Sequence, residues 1–520
     1  MTTAKLDPFT TAGDMLRALA GRRVSAVELL ELHVVRIARH DGTLNAIVTR
    51  DFERARRQAE AADTARARGE EGPLLGLPMT LKESINVTGL RTTVGVPEWS
   101  RFVSDHDAPA TTRVRKAGAV VVGKTNVPPV LADWQADNPI FGRTVNPWDP
   151  ARTPGGSTGG GAAALAAGLT PLEVGSDIGG SIRVPAAFCG VYGHKPSETA
   201  LPRSGQFPYP PMPNAAVAMG VQGPLARSAE DLELALDVLA GPDTGEDTAW
   251  RLELPAARHT RLAEFRIAVL PPIDWLPVDG EITTSLDRLA AGLASAGATV
   301  KRAQPEILGD LRRHHALYRM LLAAVTSARL PEEERQRRVE IWKTRDDEFG
   351  QASLRGLRAG AAEYIGYFGQ REQFRAAFRA FFREWDVLLA PITLGPAFPH
   401  VPKPYPPDAK SLHDTLEVGG RNVLYDLQLV YPGVATLAGQ PATAFPVGLT
   451  RAGLPIGLQA IGPYLEDRTP VRFAALVARE IGGFTPPPGF ACTRATSPTR
   501  PRCGGWSRRS RRSSAASTCS

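Results

Sequence analysis

The chain has 520 residues, of which 43% are hydrophobic, and its 50 glycines and 45 prolines are spread along its length. This composition is typical of a large, loop-rich α/β enzyme and excludes a fibrous or wholly disordered protein. No run reaches the eighteen or so apolar residues of a membrane span, and the first residues lack the pattern of a signal peptide. We therefore expect a cytoplasmic protein without a membrane partner.

The net charge of +7 comes from the C-terminal segment. Residues 491–520 contain seven arginines and no acidic residue, and without these seven the 61 basic residues fall to 54, equal to the 54 acidic residues. The same segment holds three of the four cysteines, so no disulfide framework can form in residues 1–490. We predict one domain over residues 1–490 and a disordered Arg/Ser-rich tail over 491–520, and we expect no nucleic-acid partner.

The N-terminal part of the chain has helical patterns. Ser25 and Glu28 form a capping box, and the apolar residues that follow recur at helical spacing. A second, charged helix is predicted over residues 51–70. The short apolar runs in GPLLGLPMTLKE then favour strands and turns, which predicts that Lys82 lies at the end of a strand.

The stretch from Gly118 to Thr125 matches the Walker A pattern, a glycine-rich phosphate-binding loop. That loop needs free backbone N–H groups around a phosphate. The residues between the two glycines are an alanine and three valines, which favour a strand that pairs its N–H groups in a sheet. We interpret the segment as a buried strand ending at Gly123.

The segment TPGGSTGGG at 153–161 contains the Gly-x-Ser-x-Gly pattern of a nucleophile elbow, with Ser157 at its centre. An elbow requires a strand that leads directly into the serine. The preceding residues contain three prolines in nine, which predicts a loop. Ser157 is therefore expected at the start of the small-residue helix that follows, where a hydroxyl can cap the first turn.

The segment GSDIGGSIR at 175–183 has a different context, because a short strand is predicted before it and a helix after it. Its consecutive glycines leave the backbone N–H groups of Ile178, Gly179, Gly180 and Ser181 free to converge on one oxyanion. Such preorganised donors are each worth about 3–4 kcal/mol in acyl transfer. Serines in glycine-rich segments, together with a lysine, can supply a nucleophile, a proton shuttle and a base without a histidine.

The other reactive side chains carry weaker signals. The nine histidines form no His-Glu-x-x-His metal motif. His314 and His315 lie beside two arginines in a predicted helix and are expected at the surface. His194 favours a structural role over substrate contact, and Cys189 is typical of a small core residue.

The two serine–glycine segments closely resemble the signature of the amidase signature family of serine hydrolases. The resemblance extends to flanking segments such as GLPMTLKES, AGAVVVGKTNVP and GLPIGLQAIGP, and it covers roughly residues 10–490. The signature core spans about residues 70–235, and the resemblance is weakest over 300–420. It implies an α/β/α fold of three layers with a large mixed central sheet.

The family's catalytic triad falls on matching positions of this chain. By resemblance, Ser181 is the nucleophile, Ser157 is a bridging serine with a cis backbone bond, and Lys82 is the base. Asp177 and Arg183 resemble residues that brace the nucleophile loop. To act as a base Lys82 must be neutral, and lowering its pKa from near 10.4 toward 7 takes about 4–5 kcal/mol of burial and charge effects.

Two positions depart from the family pattern. Members often carry an aspartate where this chain has Glu83, and a serine where it has Thr158. Thr158 keeps a hydroxyl that can form a hydrogen bond, and Glu83 places its carboxylate one methylene farther out. We expect both departures to affect specificity or rate and to leave activity intact.

The sequence therefore predicts an amidase that hydrolyses a small-molecule carboxylic amide through an acyl-enzyme, without a cofactor or metal ion. We expect the variable region over 300–420 to determine specificity, with the Pro-rich segment 401–408 at the edge of the active-site mouth. The alternative is the ammonia-supplying subunit of a tRNA-dependent amidotransferase, which shares the signature. That subunit usually shows a DEFAMG-like stretch where this chain reads VPPVLADW. The resemblance leaves open whether the protein is a homodimer.

Overall fold

The computed structural model describes residues 6–209, 218–405 and 407–491. The predicted tail 491–520 therefore lies outside the described residues, apart from residue 491. Within the described ranges the chain forms fifteen strands: β1 Ile47–Arg50, β2 Pro78–Lys82, β3 Val120–Thr125, β4 Asp137–Asn138, β5 Gly142–Arg143, β6 Leu172–Asp177, β7 Tyr192–Lys195, β8 Val221–Ala226, β9 Arg266–Val269, β10 Thr299–Arg302, β11 Val387–Pro391, β12 Thr415–Val418, β13 Arg421–Leu424, β14 Ala442–Leu449 and β15 Pro455–Ile461.

The same ranges form fourteen α-helices: α1 Ala12–Ala20, α2 Ala26–Leu44, α3 Phe52–Ala67, α4 Pro109–Lys116, α5 Gly159–Ala166, α6 Arg183–Cys189, α7 Ala229–Leu239, α8 Gly280–Ser295, α9 Arg312–Ser327, α10 Glu332–Trp342, α11 Glu348–Arg358, α12 Ala361–Glu384, α13 Val430–Leu437 and α14 Arg468–Ile481.

Eleven strands form one mixed sheet in the order β1-β3-β2-β6-β8-β7-β14-β15-β11-β9-β10. The strand β2 pairs in parallel with both β3 and β6, whereas β8, β7, β14 and β15 pair with their neighbours in antiparallel fashion. Helices cover both faces of the sheet. The predicted fold, three α/β/α layers with a large mixed sheet, is therefore confirmed.

The pleat of β2 divides its side chains between the two helical layers. Met79 and Leu81 belong to the largest apolar cluster, which packs the sheet against helices such as α2, α7 and α14. Because alternate residues of a strand point to opposite faces, Thr80 and Lys82 point to the other layer. The short helix α5 packs on β2, β3, β6 and β8 in that layer.

The local predictions before the two serine–glycine segments are confirmed, except for the end of one strand. The Ser25–Glu28 capping box is present at the start of α2, and Lys82 is the last residue of β2. The Walker-like segment is the buried strand β3, which continues two residues past Gly123. Its extension is stabilised because the buried Lys124 amine donates to the Arg91 carbonyl at 2.5 Å and to Thr92 Oγ1 at 2.7 Å.

The prediction that His314 and His315 lie at the surface is wrong. Both lie in the predicted helix, now α9, but both are fully buried. Their rings pack edge-on against Phe374 of α12 and Phe349 of α11. Burial lowers the pKa of both imidazoles, that of His314 to about 3, so both are neutral core residues.

Candidate active site

Lys82 and Ser157 meet in the interior of the protein. The Lys82 amine and the Ser157 hydroxyl are hydrogen-bonded at 2.7 Å, and the Gly156–Ser157 peptide bond is cis. The Lys82 amine also lies 3.0 Å from Ser176 Oγ. Lys82 is fully buried and Ser157 is 1% exposed, so this contact is closed to bulk water. Ser176 was not selected from the sequence because it has no distinguishing pattern there.

The surroundings of Lys82 favour its neutral form. Burial lowers the pKa of its ammonium to about 7, although the carboxylates of Asp177 and Glu173 oppose this shift. A large fraction of Lys82 is therefore neutral near pH 7 and able to accept a proton from a hydroxyl. The role of base that the family resemblance implies for Lys82 needs this lowering of its pKa, and burial of the side chain supplies it.

The loop after β6 places Ser181 beside the segment that carries Ser157. The Thr158 N–H donates to the Ser181 carbonyl at 3.2 Å, which joins the two serine–glycine segments. Ser181 is 6% exposed, the most accessible of the three predicted triad residues. Within the described part of the chain its hydroxyl forms no hydrogen bond. The structure thus brings Ser181 to the segment that carries Ser157, whose own hydroxyl contacts the buried Lys82 amine.

Asp177 and Arg183 form a buried ion pair that spans the Ser181 loop. The guanidinium donates to both carboxylate oxygens, at 3.0 and 3.1 Å, and neither side chain is exposed. Burial by itself raises the pKa of Asp177, but the Arg183 charge and its hydrogen bonds outweigh burial and lower that pKa to about 2. Asp177 also accepts from the backbone N–H groups of Gly180 and Ile182. The pair therefore fixes both ends of the loop.

This bracing changes the predicted oxyanion hole. Gly180 donates its N–H to Asp177 at 2.9 Å, so the expectation that this N–H is free is wrong. The N–H groups of Ile178, Gly179 and Ser181 have no partner within the described residues. The sequence indicated that Asp177 braces the loop, but it could not show which backbone N–H groups the carboxylate would bind.

Two aromatic side chains orient the same loop. The Tyr318 hydroxyl on α9 donates to the Ile178 carbonyl at 2.9 Å, and Trp134 Nε1 donates to the Gly179 carbonyl at 2.9 Å. In a trans peptide the C=O and the following N–H point in opposite directions. The bond from Tyr318 therefore aims the Gly179 N–H away from α9. Neither aromatic residue was found from the sequence, where Tyr318 and Trp134 lie 140 and 45 residues from the loop residues that they contact.

Replacing Tyr318 with phenylalanine tests this orientation. The variant loses one hydroxyl, and the freed Ile178 carbonyl allows the Gly179 N–H to turn. We expect kcat to fall about tenfold with little change in KM, because an oxyanion donor acts mainly in the transition state. Steady-state kinetics on a primary amide would measure the split.

Tyr192→Phe is the matched control for Tyr318→Phe. Tyr192 is 2% exposed, lies on β7, and its hydroxyl has no partner among the described residues. Its loss is expected to leave kcat near the wild-type value. A Tyr318→Phe variant with unchanged kcat would contradict the proposed orientation of the Gly179 N–H.

The two departures from the family pattern have defined contacts. Thr158 Oγ1 lies 3.4 Å from the Ser176 carbonyl, and Thr158 precedes α5 as its N-cap residue without a side-chain cap bond. The expectation that Ser157 caps this helix is wrong, because its hydroxyl is bonded to Lys82. The buried Glu83 carboxylate accepts from the N–H groups of Thr93 and Val94 and so braces a neighbouring turn.

The remaining candidates are structural. His194 is fully buried between Thr443 Oγ1 at 2.9 Å and Asp467 Oδ1 at 3.1 Å, which agrees with the structural role expected for it. Cys189 is a buried core residue, as predicted.

Among the described residues no group of three or more His, Cys, Asp or Glu side chains could hold a metal ion. None of the described helices has the length and apolar character needed to cross a lipid bilayer.

The Pro-rich segment begins close to Ser157. Gln135 exchanges two hydrogen bonds with the backbone of Val401, at 2.8 and 2.9 Å. The backbone of Gln135 in turn packs so tightly on Gly156 that a Cβ at that glycine would lie 2.8 Å from the Gln135 nitrogen. Gln135 is therefore the single residue that lies between the start of the Pro-rich segment and the Gly156–Ser157 peptide.

Comparisons with known proteins agree with this fold and site. The profile of the Amidase family matches residues 28–470. A glutamyl-tRNA(Gln) amidotransferase subunit from Deinococcus deserti is 34% identical over 496 residues, covering 89% of this chain and 95% of that protein.

Two solved structures are similar over nearly the whole chain. One comes from work on a vestigial protein complex and the evolutionary origins of an s-triazine catabolic enzyme. It has a TM-score of 0.77 and 30% identity, and the alignment covers 92% of this chain and 100% of that chain. The other, 6-aminohexanoate cyclic dimer hydrolase complexed with substrate, has a TM-score of 0.75 and 26% identity, with coverage of 94% and 100%.

The mixed eleven-stranded sheet with its two serine–glycine segments defines an amidase signature enzyme, a class of hydrolases that act on carbon–nitrogen bonds. The chain belongs to the amidase family, as the profile match over most of its length shows.

Proposed function

We propose that this protein hydrolyses a linear carboxylic amide to a carboxylate and an amine or ammonia, with Ser181 as nucleophile, Ser157 as proton relay and Lys82 as base. The observation that supports this most directly is the 2.7 Å hydrogen bond between Lys82 and Ser157 in a site without bulk water. A lysine whose pKa burial lowers to about 7 is suited to general-base catalysis at neutral pH.

Acylation begins when the Ser181 hydroxyl turns toward Ser157 and attacks the amide carbonyl carbon. Ser157 takes the proton of Ser181 and passes its own to Lys82, which becomes an ammonium. The free N–H groups of Ile178, Gly179 and Ser181 are the candidate donors to the resulting oxyanion. The carbon–nitrogen bond then breaks as the proton returns through Ser157 to the leaving nitrogen.

Deacylation repeats the sequence with water. Lys82, neutral again, takes a proton from Ser157, and Ser157 takes one from the water that attacks the acyl carbon. The ester bond to Ser181 breaks and its oxygen regains a proton through the relay. The product leaves as the carboxylic acid, which releases its own proton to solvent to give the carboxylate. Asp177 and Arg183 hold the loop in place throughout, and no step requires a cofactor.

The purified chain tests the proposed reaction. We expect it to release ammonia or amine from at least one member of a panel of aliphatic, aryl and peptide-like amides when no other protein is present. Ester substrates serve as a positive control for acylation, because esters need no proton delivery to a leaving nitrogen. Ester cleavage without hydrolysis of any amide would contradict the assignment.

The amidotransferase alternative is favoured by one observation. The curated relatives at 32–34% identity, such as the protein from Deinococcus deserti, are named as subunits of glutamyl-tRNA(Gln) amidotransferase. If this chain works in the same way, it releases ammonia from glutamine as part of a complex. Purification from the native host distinguishes the two functions, because stable recovery of partner subunits would overturn the stand-alone amidase.

A further inference from the structure

Glu173 is a fully buried carboxylic acid on β6 that has no part in the steps above. Its Oε1 accepts a hydrogen bond of 2.6 Å from Thr125 Oγ1 on β3. Since β2 lies between β6 and β3, the Glu173 side chain must cross β2 to reach Thr125. It crosses on the face that carries Thr80 and Lys82, because Thr80 is the register partner of Glu173.

The helix α5 closes this carboxyl group off from solvent. A Cβ at Gly161 would lie 2.7 Å from Glu173 Cδ, so the helix backbone packs directly on the carboxyl group. Glu173 Oε2 is buried and has no hydrogen-bond partner among the described residues. In these dry surroundings a charge on Glu173 acts strongly on its neighbours.

The charged neighbours of Glu173 are few. The helix α5 and the strand β8 carry no ionisable side chain. On β6 itself, Asp177 is neutralised by Arg183 of α6 and is influenced by Lys195 of β7. From β2, Lys82 acts on Glu173, and Glu173 acts on Lys82 in return. Lys82 is therefore the cation that responds to Glu173.

We propose that Glu173 is a positioning residue that stabilises the ammonium formed when Lys82 accepts the proton of Ser157, and thereby makes Lys82 a stronger base. The proposal rests on the Ser181, Ser157 and Lys82 mechanism above. No proton leaves or enters Glu173 in the step; its carboxylate supplies the countercharge. Burial raises the pKa of Glu173 to about 7, although its hydrogen bond with Thr125 and the charge of Lys82 oppose this shift.

The test is Glu173→Gln, which keeps the shape of the side chain and an acceptor for Thr125 but removes the charge. The readout is the rate of reaction of an alkyl fluorophosphonate with the enzyme as a function of pH, which needs no knowledge of the natural amide. We expect the acidic limb of this profile to move down by about one pH unit, because loss of the carboxylate lowers the pKa of Lys82. The rate on the plateau should fall about tenfold, because Lys82 becomes a weaker base.

Two further variants separate this effect from damage to the core. Asp231→Asn is the matched control, since Asp231 is a buried carboxylate that binds the N–H groups of Ala12 and Gly13 at the start of α1. It should lower thermal stability without moving the acidic limb. Thr125→Val keeps the Glu173 carboxyl group but removes the hydrogen bond that favours its ionisation. We therefore expect the acidic limb to shift in the same direction as in Glu173→Gln, but by less.

An acidic limb that stays in place in both Glu173→Gln and Thr125→Val overturns the role of Glu173 while the proposed function stands. Fluorophosphonate labelling that survives Ser181→Ala overturns the proposed function, and the role of Glu173 with it. A shift of the limb in Asp231→Asn as large as in Glu173→Gln would also overturn the role, because it would show a general response to lost buried charge.

Discussion

Replacing Ser181 with alanine is expected to reduce amide hydrolysis by about 10⁴-fold or more and to abolish labelling by a fluorophosphonate probe. Ser181 is the only one of the three proposed catalytic residues with appreciable exposure, 6%. Within the described residues its own N–H and those of Ile178 and Gly179 have no partner. Without its hydroxyl no acyl-enzyme can form, and the neighbouring Ser157 is held by Lys82.

Ser176→Ala is the matched control for Ser181→Ala. Ser176 lies on β6, five residues earlier, and is also a buried serine near Lys82. We expect this variant to keep its fluorophosphonate label, because Ser176 is not the nucleophile. Intact protein mass spectrometry after labelling gives a direct count of bound probe, and undiminished labelling of Ser181→Ala would refute the proposed nucleophile.

Replacing Lys82 with methionine is expected to lower kcat about 10³-fold, within the range of general-base catalysis. Methionine fills a similar volume and carries no amine. Because it leaves Ser157 and Glu173 without their cationic partner, the melting temperature is measured beside kcat to separate loss of the base from loss of stability. The pH profile adds a second criterion. Activity of the wild type should rise as the pH increases through about 7, where Lys82 loses its proton, and this rise should be absent in Lys82→Met.

Lys124→Met is the matched control for Lys82→Met. Lys124 is also fully buried, on the neighbouring strand β3, and burial lowers its pKa to about 8. It lies in register with Leu81, on the face of the sheet opposite Lys82. The control should keep the rise in activity near pH 7. If it loses that rise and Lys82→Met retains it, the assignment of the base is wrong.

Local sequence patterns predicted the elements around the site well. The capping box before α2, the strand ending at Lys82 and the loop before Ser157 each depend on a few neighbouring residues, so short-range propensities are sufficient. Which face of α9 is buried could not be predicted in this way. Helical spacing placed His314 and His315 beside arginines, but α11 and α12 pack on α9 and cover both rings.

The geometry of the Ser181 loop was only partly predictable. Consecutive glycines indicated free N–H groups, yet a buried carboxylate takes whichever donors lie near its oxygens, and Asp177 takes that of Gly180. The carbonyl groups of the loop are held by Tyr318 and Trp134, which come from segments 140 and 45 residues distant in sequence. Contacts of that kind leave no local pattern.

The sequence by itself determined the candidate chemistry: two serines in glycine-rich segments and a lysine at the end of a strand, in an α/β enzyme of the amidase signature type. Only the tertiary structure decided which surroundings set the pKa of that lysine. The order β3-β2-β6 places the Glu173 carboxyl group across β2 beside Lys82, and α5 removes water from both. Desolvation and Coulomb energy depend on distances in space, which the strand order sets and the spacing of residues along the chain does not.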